Sequence, residues 1–384
     1  MNDIAELKDF AVLHARAQKI SGLTGILAGI ADDAEGSPTS WAVRWSEAGD
    51  VLRERGRLLE AVRHYTMARF PFVDGPARRR AHDLAVETFA RWAPEYGLER
   101  VTVKAPDGDV ACWATGLSAS RPRPLIVTCG GIVSSKEQWA PALAAVRRFG
   151  FAAVVLELPG VGENTLPYTA ESWRLLPALL DTLGPVARTE QTYAMALSFS
   201  GHLALRAAAD DPRIRGVVTA GAPLWSFFTD HAWLSRVPRL TLETLAHHVG
   251  VPVAELPDAL ASWGLDADRI SRLDIPIAYA ASTRDEIIPS ADPAWLRAHA
   301  RHLDLLEHDD VHGSPDHVAH TRLWAMVSLL RMHGVRGPRV GALGLLLRAA
   351  ARSGRRGTAR VGAAAGAGSA APNPAAGTTK PERS

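Results

Sequence analysis

Two periodicities divide the chain. Over residues 1 to about 100, apolar side chains return at three- and four-residue spacing, as in Trp41, Trp45, Val51, Leu52, Leu58, Leu59, Val62 and Tyr65. That spacing places them on one face of a helix and predicts an α-helical N-terminal domain over 1–100. From Val101 the period changes: VTVKA, a turn at Asp107-Gly108 and VACWAT predict a two-stranded meander. Short apolar runs then alternate with helix-like segments: LIVTC from 125, AAVVLEL from 152, TYAMAL from 192, GVVTAG from 216, PIAYAAS from 276 and HLDLLEH from 302. Runs of this kind suit strands buried on both faces, and strands separated by helices pair in parallel through right-handed crossovers. The fold class is therefore α/β, a mostly parallel eight-stranded sheet flanked by helices over 101–335.

Residues 225–273 are too many for one crossover helix and include Trp225, Phe227, Phe228, Trp233 and Trp263. They are read as a helical insertion that covers the strand ends and precedes the strand at 276. Residues 336–384 form a basic tail, and from about Gly354 it is Gly, Ala, Pro, Ser and Thr with Arg. Such a composition cannot bury enough apolar surface to offset ordering entropy, so disorder is expected there.

Charge and cysteine content narrow the function classes. The formal net charge of +2 hides an asymmetry: nine Lys or Arg against one Glu from Arg336 onward give the tail +8, and residues 1–335 carry −6. An acidic body argues against nucleic-acid binding, which needs a basic face on the folded part. The two cysteines, Cys112 and Cys129, lie in strand-like runs and suit a reducing compartment. The start lacks a basic region followed by a long apolar stretch, and no apolar run reaches the roughly 18 to 20 residues that span a bilayer. A cytoplasmic protein without membrane or nucleic-acid partners is expected, with a homodimer left open.

The chemistry centres on TYAMALSFSGHLALRAA, which reads strand, tight turn, helix, with Ser198 at the turn. A nucleophile elbow needs this context, because the turn lifts the hydroxyl above the sheet edge and leaves the next backbone N–H free at the helix start. Ala196 and Ser200 stand where G-x-S-x-G has glycines, and Gly201 follows. Two rival readings are that Ser198 only caps the helix and that Ser200 is the nucleophile.

LIVTCGGIVSSKEQW puts Gly130-Gly131 at a strand end, then Ser134 to Glu137 as a capping box. Amides of Gly131 or Ile132, with that of Phe199, are the candidate oxyanion donors. Glu157 and Glu163 sit in the next strand-end loop, as site or merely as loop residues. Asp285 follows the strand PIAYAAS, at the carboxyl edge where ligands meet an open sheet. Asp274 precedes that strand and faces the other edge. His312 follows the last strand in HDDVHGSPDH, where His308, His317 and His320 compete with it. The order Ser198, Asp285, His312 is that of the α/β hydrolases. No zinc-type spacing is present, and neither metal nor cofactor is expected.

In the GGIVSSKEQ, LPGVGE, ALSFSG and TRDEIIP segments and the final His loop, the chain resembles the α/β-hydrolases of the FrsA-like esterase group, particularly the 2,6-dihydroxypseudooxynicotine hydrolase type, over roughly residues 40–335. The resemblance implies a triad of Ser198, Asp285 and His312 and a pocket between the N-terminal helices and the sheet. Members of the group include carbon–carbon bond hydrolases of aromatic ketones and enzymes that trim polyketide intermediates. The reaction expected is cleavage of an ester or a ketone carbon–carbon bond in a small organic substrate. Elimination of an acyloxy group by the same triad, and a hydrolase-fold binding protein without activity, are the alternatives. Trp225, Phe227, Phe228 and Trp233 are the expected substrate-binding residues, since they follow a strand that ends near Gly221.

Overall fold

A computed structural model describes residues 2–338, 340–348 and 350. The tail expected to be disordered from about Gly354 lies outside the described residues. All eight expected strands form: β1 Glu99–Ala105, β2 Gly108–Thr115, β3 Pro124–Cys129, β4 Ala152–Leu156, β5 Arg188–Ala196, β6 Ile214–Ala220, β7 Ile277–Ser282 and β8 Leu303–His308. They make one sheet in the order β1-β2-β4-β3-β5-β6-β7-β8. β1–β2 and β2–β4 pair antiparallel, and the other pairs are parallel. β3 and β4 are buried along their whole length, as apolar runs covered on both faces must be. The chain steps from β3 outward to β4 and then returns to β5 on the other side of β3. This reversal opens a crevice at the carboxyl ends of β3 and β5, where open α/β sheets place ligands.

Five helices precede the sheet, Ile4–Gln18, Leu23–Ala28, Trp41–Glu54, Leu58–Ala68 and Pro76–Trp92. Their apolar stripes meet in a cluster of Leu7, Ala11, Ile30, Trp41, Trp45, Met67 and Phe70 that also takes in Leu240 of the insertion. Trp41 buries its indole and donates through Nε1 to the Met67 carbonyl at 2.7 Å. Val51, counted in the same stripe, is exposed. The insertion is helical as expected, with Arg239–Val249 its longest helix.

Charge as well as apolar area holds the N-terminal helices. Arg78 is 5% exposed. It donates to Asp33 at 2.6 Å, Asp74 at 2.9 Å and the Phe70 carbonyl at 3.0 Å. Removing one side of a buried pair strands the other charge, at about 3–5 kcal/mol. Arg78→Met is expected to lower stability by that amount, seen in urea as a lower midpoint with little change of slope. A midpoint like that of the wild type would show that the pair adds nothing.

Candidate active site

The turn after β5 carries Ser198 at φ 55°, ψ −129°, a backbone state that L-residues rarely adopt, and the helix Phe199–Asp210 begins at once. Strain of this kind persists only where the surroundings dictate it. Here the Leu197 amide donates to the Cys129 carbonyl at 3.0 Å and the Ser198 amide to the Ala220 carbonyl at 2.8 Å, which pins the turn to the ends of β3 and β6. The close approach that G-x-S-x-G serves with a glycine before and after the serine is met at Gly201, where a Cβ would lie 2.0 Å from Thr219 Oγ1 and 2.7 Å from Ala222 Cβ. Ser200 is buried, and its hydroxyl proton is shared between the carbonyls of Cys129 at 2.8 Å and Leu197 at 2.9 Å. It braces the turn and offers no free hydroxyl.

Ser198 Oγ lies 3.1 Å from His312 Nε2. His312 Nδ1 lies 2.9 and 3.0 Å from the two oxygens of Asp285. A carboxylate only accepts, so Nδ1 carries the proton and Nε2 is left with its lone pair toward the serine. Asp285 is itself fixed by the amides of Ile287 at 2.9 Å and Ile288 at 2.8 Å, and Glu286 accepts the His312 amide at 3.0 Å. Burial alone would depress the His312 imidazole, but the charge and hydrogen bond of Asp285, aided by Glu286, outweigh it and raise its pKa above 6.5. Gly221, at φ +58°, makes room for the ring, since a Cβ there would lie 2.8 Å from His312 Cε1.

The loop after β3 brings Gly131 against the serine, where a Cβ would lie 3.2 Å from Ser198 Cβ. Among the described residues, the amides of Gly131, Ile132 and Phe199 donate to no carbonyl or side chain. The capping box expected at Ser134 to Glu137 does not form. The N-cap is Ser135, whose side chain caps nothing. Glu157 reaches across from the end of β4 and accepts the Lys136 amide at 3.1 Å. The Lys136 ammonium is fully buried, 2.9 Å from Glu137, 3.1 Å from Glu157 and 2.6 Å from Glu163. Glu137 also accepts from Trp113 Nε1, and Glu163 pairs with Arg100. Glu157 and Glu163 are thus loop-building residues that tie the loop after β4 to the loop after β3.

The other histidines of the last loop are engaged elsewhere. His317 donates to Asp310 at 2.8 Å and stacks on His308, which also meets Thr321 at 3.1 Å and His320 edge-on. Asp274 bonds His302 near the opposite edge. Among the described residues no group of His, Cys, Asp and Glu is arranged to hold a metal ion, and no helix is long and apolar enough to cross a membrane.

The four expected substrate-binding aromatics separate. Phe227 and Phe228 have no exposed surface: Phe227 packs edge-on to Phe199, and Phe228 packs against His202 and Trp263. They belong to the core beneath the elbow helix, which corrects the expectation that they face a ligand. The cause is Asp292, a buried carboxylate that gathers the amides of Leu224, Trp225, Ser226 and Phe227 and so turns the two rings downward. Trp225 is 43% exposed, and Trp233 is half-buried with Nε1 donating to the Ile287 carbonyl beside Asp285. His14, on the first helix, carries no local sequence signal that would mark it. It packs against Phe70, and its pKa is lowered to about 4 by burial and by the charges of His312 and Arg69.

The sheet order and the turn at its crevice place the protein among the α/β hydrolases. A family sequence model described as "Esterase FrsA-like" matches residues 41–293, and the chain belongs to that family of hydrolases. Esterase FrsA of Photobacterium profundum is 21% identical over 292 residues, 69% of this chain and 70% of that protein. Esterase FrsA of Pectobacterium atrosepticum is 24% identical over 279 residues, 67% of this chain and 65% of that protein. Among solved structures, AbyA5 is 49% identical with a TM-score of 0.88, covering 90% of this chain and 99% of that one. The 2,6-dihydroxy-pseudo-oxynicotine hydrolase is 19% identical with a TM-score of 0.67, over 83% and 95% of the two chains, a likeness of fold.

The raised pKa of His312 has a measurable sign. Its contribution to folding is present below pH 6.5, the ordinary value, and is lost as pH rises through the folded value. NMR titration of His312 is expected to give a midpoint above 6.5 in the wild type and a lower one in Asp285→Asn. An unmoved midpoint in the variant would remove Asp285 as the cause.

Proposed function

We propose that the protein is a serine esterase in which Ser198 is the nucleophile, His312 the general base and Asp285 the group that orients and stabilises the imidazole. The observation that carries this reading is the 3.1 Å contact between Ser198 Oγ and His312 Nε2 on a strained strand-to-helix turn. In acylation His312 Nε2 takes the hydroxyl proton as Oγ bonds to the substrate carbonyl carbon, and the carbonyl oxygen becomes an oxyanion. The amide of Phe199, with that of Ile132 or Gly131, meets this oxygen. Donors of this kind are worth about 3 kcal/mol each. The tetrahedral state collapses as His312 returns the proton to the departing alcohol, and water then cleaves the acyl-enzyme by the same steps in reverse. The chemistry needs no cofactor.

Membership of an esterase family favours the ester over the ketone carbon–carbon bond. Of the four aromatics, Trp225 and Trp233 keep open surface, and we read them as the pair that meets a small organic substrate. The inactive-scaffold reading is disfavoured by the intact alignment of hydroxyl, imidazole and carboxylate.

A fluorophosphonate is expected to label Ser198 in the wild type and not in Ser198→Ala, which is expected to lose at least about 10³-fold in ester turnover while remaining folded. A variant that keeps more than about a tenth of wild-type turnover would exclude a serine nucleophile.

A further inference from the structure

Three successive carbonyls of the loop after β3 are each taken by a different part of the chain. Gly131 accepts from the Ser134 amide at 3.0 Å. Ile132 accepts from His248 Nε2 at 2.8 Å, and Val133 accepts from Arg69 Nη2 at 2.6 Å. His248 lies on the insertion helix Arg239–Val249, and Arg69 directly follows the N-terminal helix Leu58–Ala68. In a trans peptide the N–H points opposite to the C=O of the same plane. The turn that takes the Gly131 carbonyl therefore sets the direction of the Ile132 N–H, and the two peptide planes beyond it are held from outside the sheet. Gly131 is the residue that lies against Ser198.

Both side chains reach the loop from buried positions. A carbonyl only accepts, so His248 carries its proton on Nε2, while Nδ1 is buried without a partner. Burial lowers its pKa to about 4, which keeps the ring neutral at neutral pH. The ring rests on Gly160, at φ +81°, where a Cβ would lie 2.7 Å from Nδ1, so a larger residue there would displace it. Arg69 is 1% exposed. Among the described residues it has no carboxylate at ion-pair distance, and its Nε is without a partner. The charges of Glu157 and Glu137 offset part of the cost of burying the Arg69 guanidinium, and the directed hydrogen bonds of both side chains go to this loop, at Ile132 and Val133.

We propose that His248 and Arg69 are positioning residues that clamp loop 130–133, so that the Ile132 amide stays aimed at the oxyanion formed on attack by Ser198. The inference rests on the Ser198 reading above. It makes the N-terminal helices and the insertion contributors to the rate.

The test measures kcat and KM for p-nitrophenyl acetate, the rate of fluorophosphonate labelling and the melting temperature in the full chain. His248→Asn, whose amide falls short of the Ile132 carbonyl, and Arg69→Met are each expected to lower kcat and the labelling rate by about 10- to 100-fold with KM held within about twofold. His248→Gln, which puts an N–H near the position of Nε2, is expected to recover most of the loss. The double variant H248N/R69M is expected to lose less than the product of the two, because both hold one loop. If Arg69→Met does not fold, the Asn and Gln variants of His248 decide. Equal kcat and labelling in H248N, H248Q and the wild type would overturn the proposal while leaving the Ser198 reading intact. A wild-type protein that takes no label at Ser198 would bring down that reading and the proposal with it.

Discussion

The backbone of Ser198 is the constraint on which the site depends. A positive φ at a residue with a Cβ costs on the order of 1–3 kcal/mol and relaxes unless neighbouring contacts forbid it. They do so here from two strand ends, through the carbonyls of Cys129 and Ala220, and from the helix that follows, through the Gly201 amide, which donates back to the Ser198 carbonyl at 2.8 Å. Once this turn is fixed, the hydroxyl leaves the sheet edge, the helix start keeps its Phe199 amide free, and His312 lies across the end of β6 on the space that Gly221 provides. The three features share one origin.

The loops after β3 and β4 are tied together by charge. One buried ammonium, Lys136, gathers Glu137 of its own helix and Glu157 and Glu163 from the loop after β4. Burial alone would drive its proton off, yet the three carboxylates raise its pKa. A cluster of this kind is weak evidence of stability, since desolvation offsets most of the attraction. Its directionality matters more: Glu157 takes the amide that starts the helix Lys136–Val146, and this fixes where the glycine loop leaves the sheet.

Local pattern made the strands and the turn legible. LIVTC and AAVVL are apolar on both faces and read as central strands, and TYAMALSFSG places a serine between strand and helix without reference to anything distant. Ser198, Asp285 and His312 followed because each ends a strand at the same edge. The parts misread depend on partners far along the chain. Asp292 turns Phe227 and Phe228 into the core from 65 residues away. Glu157 replaces the local capping box across 21 residues, and His248 reaches Ile132 across 116. No periodicity records such pairings, because a side chain's own neighbours in sequence say nothing of which amide it will meet.

The last loop shows why residue type alone could not have chosen the histidine. It contains a second carboxylate–imidazole pair, Asp310–His317, with a 2.8 Å contact as short as the 2.9 Å contact of Asp285 with His312. Asp310 directs its oxygens to its own loop, taking the amides of Val311 and Asp316, and His317 stacks on His308, with no hydroxyl bonded to its ring among the described residues. Asp285 is anchored by the amides that follow β7, and its histidine crosses Gly221 to reach the end of β5. The two pairs have the same chemistry and differ in the strand ends they connect. What sets the Asp285–His312 pair apart is the turn at the end of β5, which holds the Ser198 hydroxyl 3.1 Å from His312 Nε2 on the side of the ring away from the carboxylate.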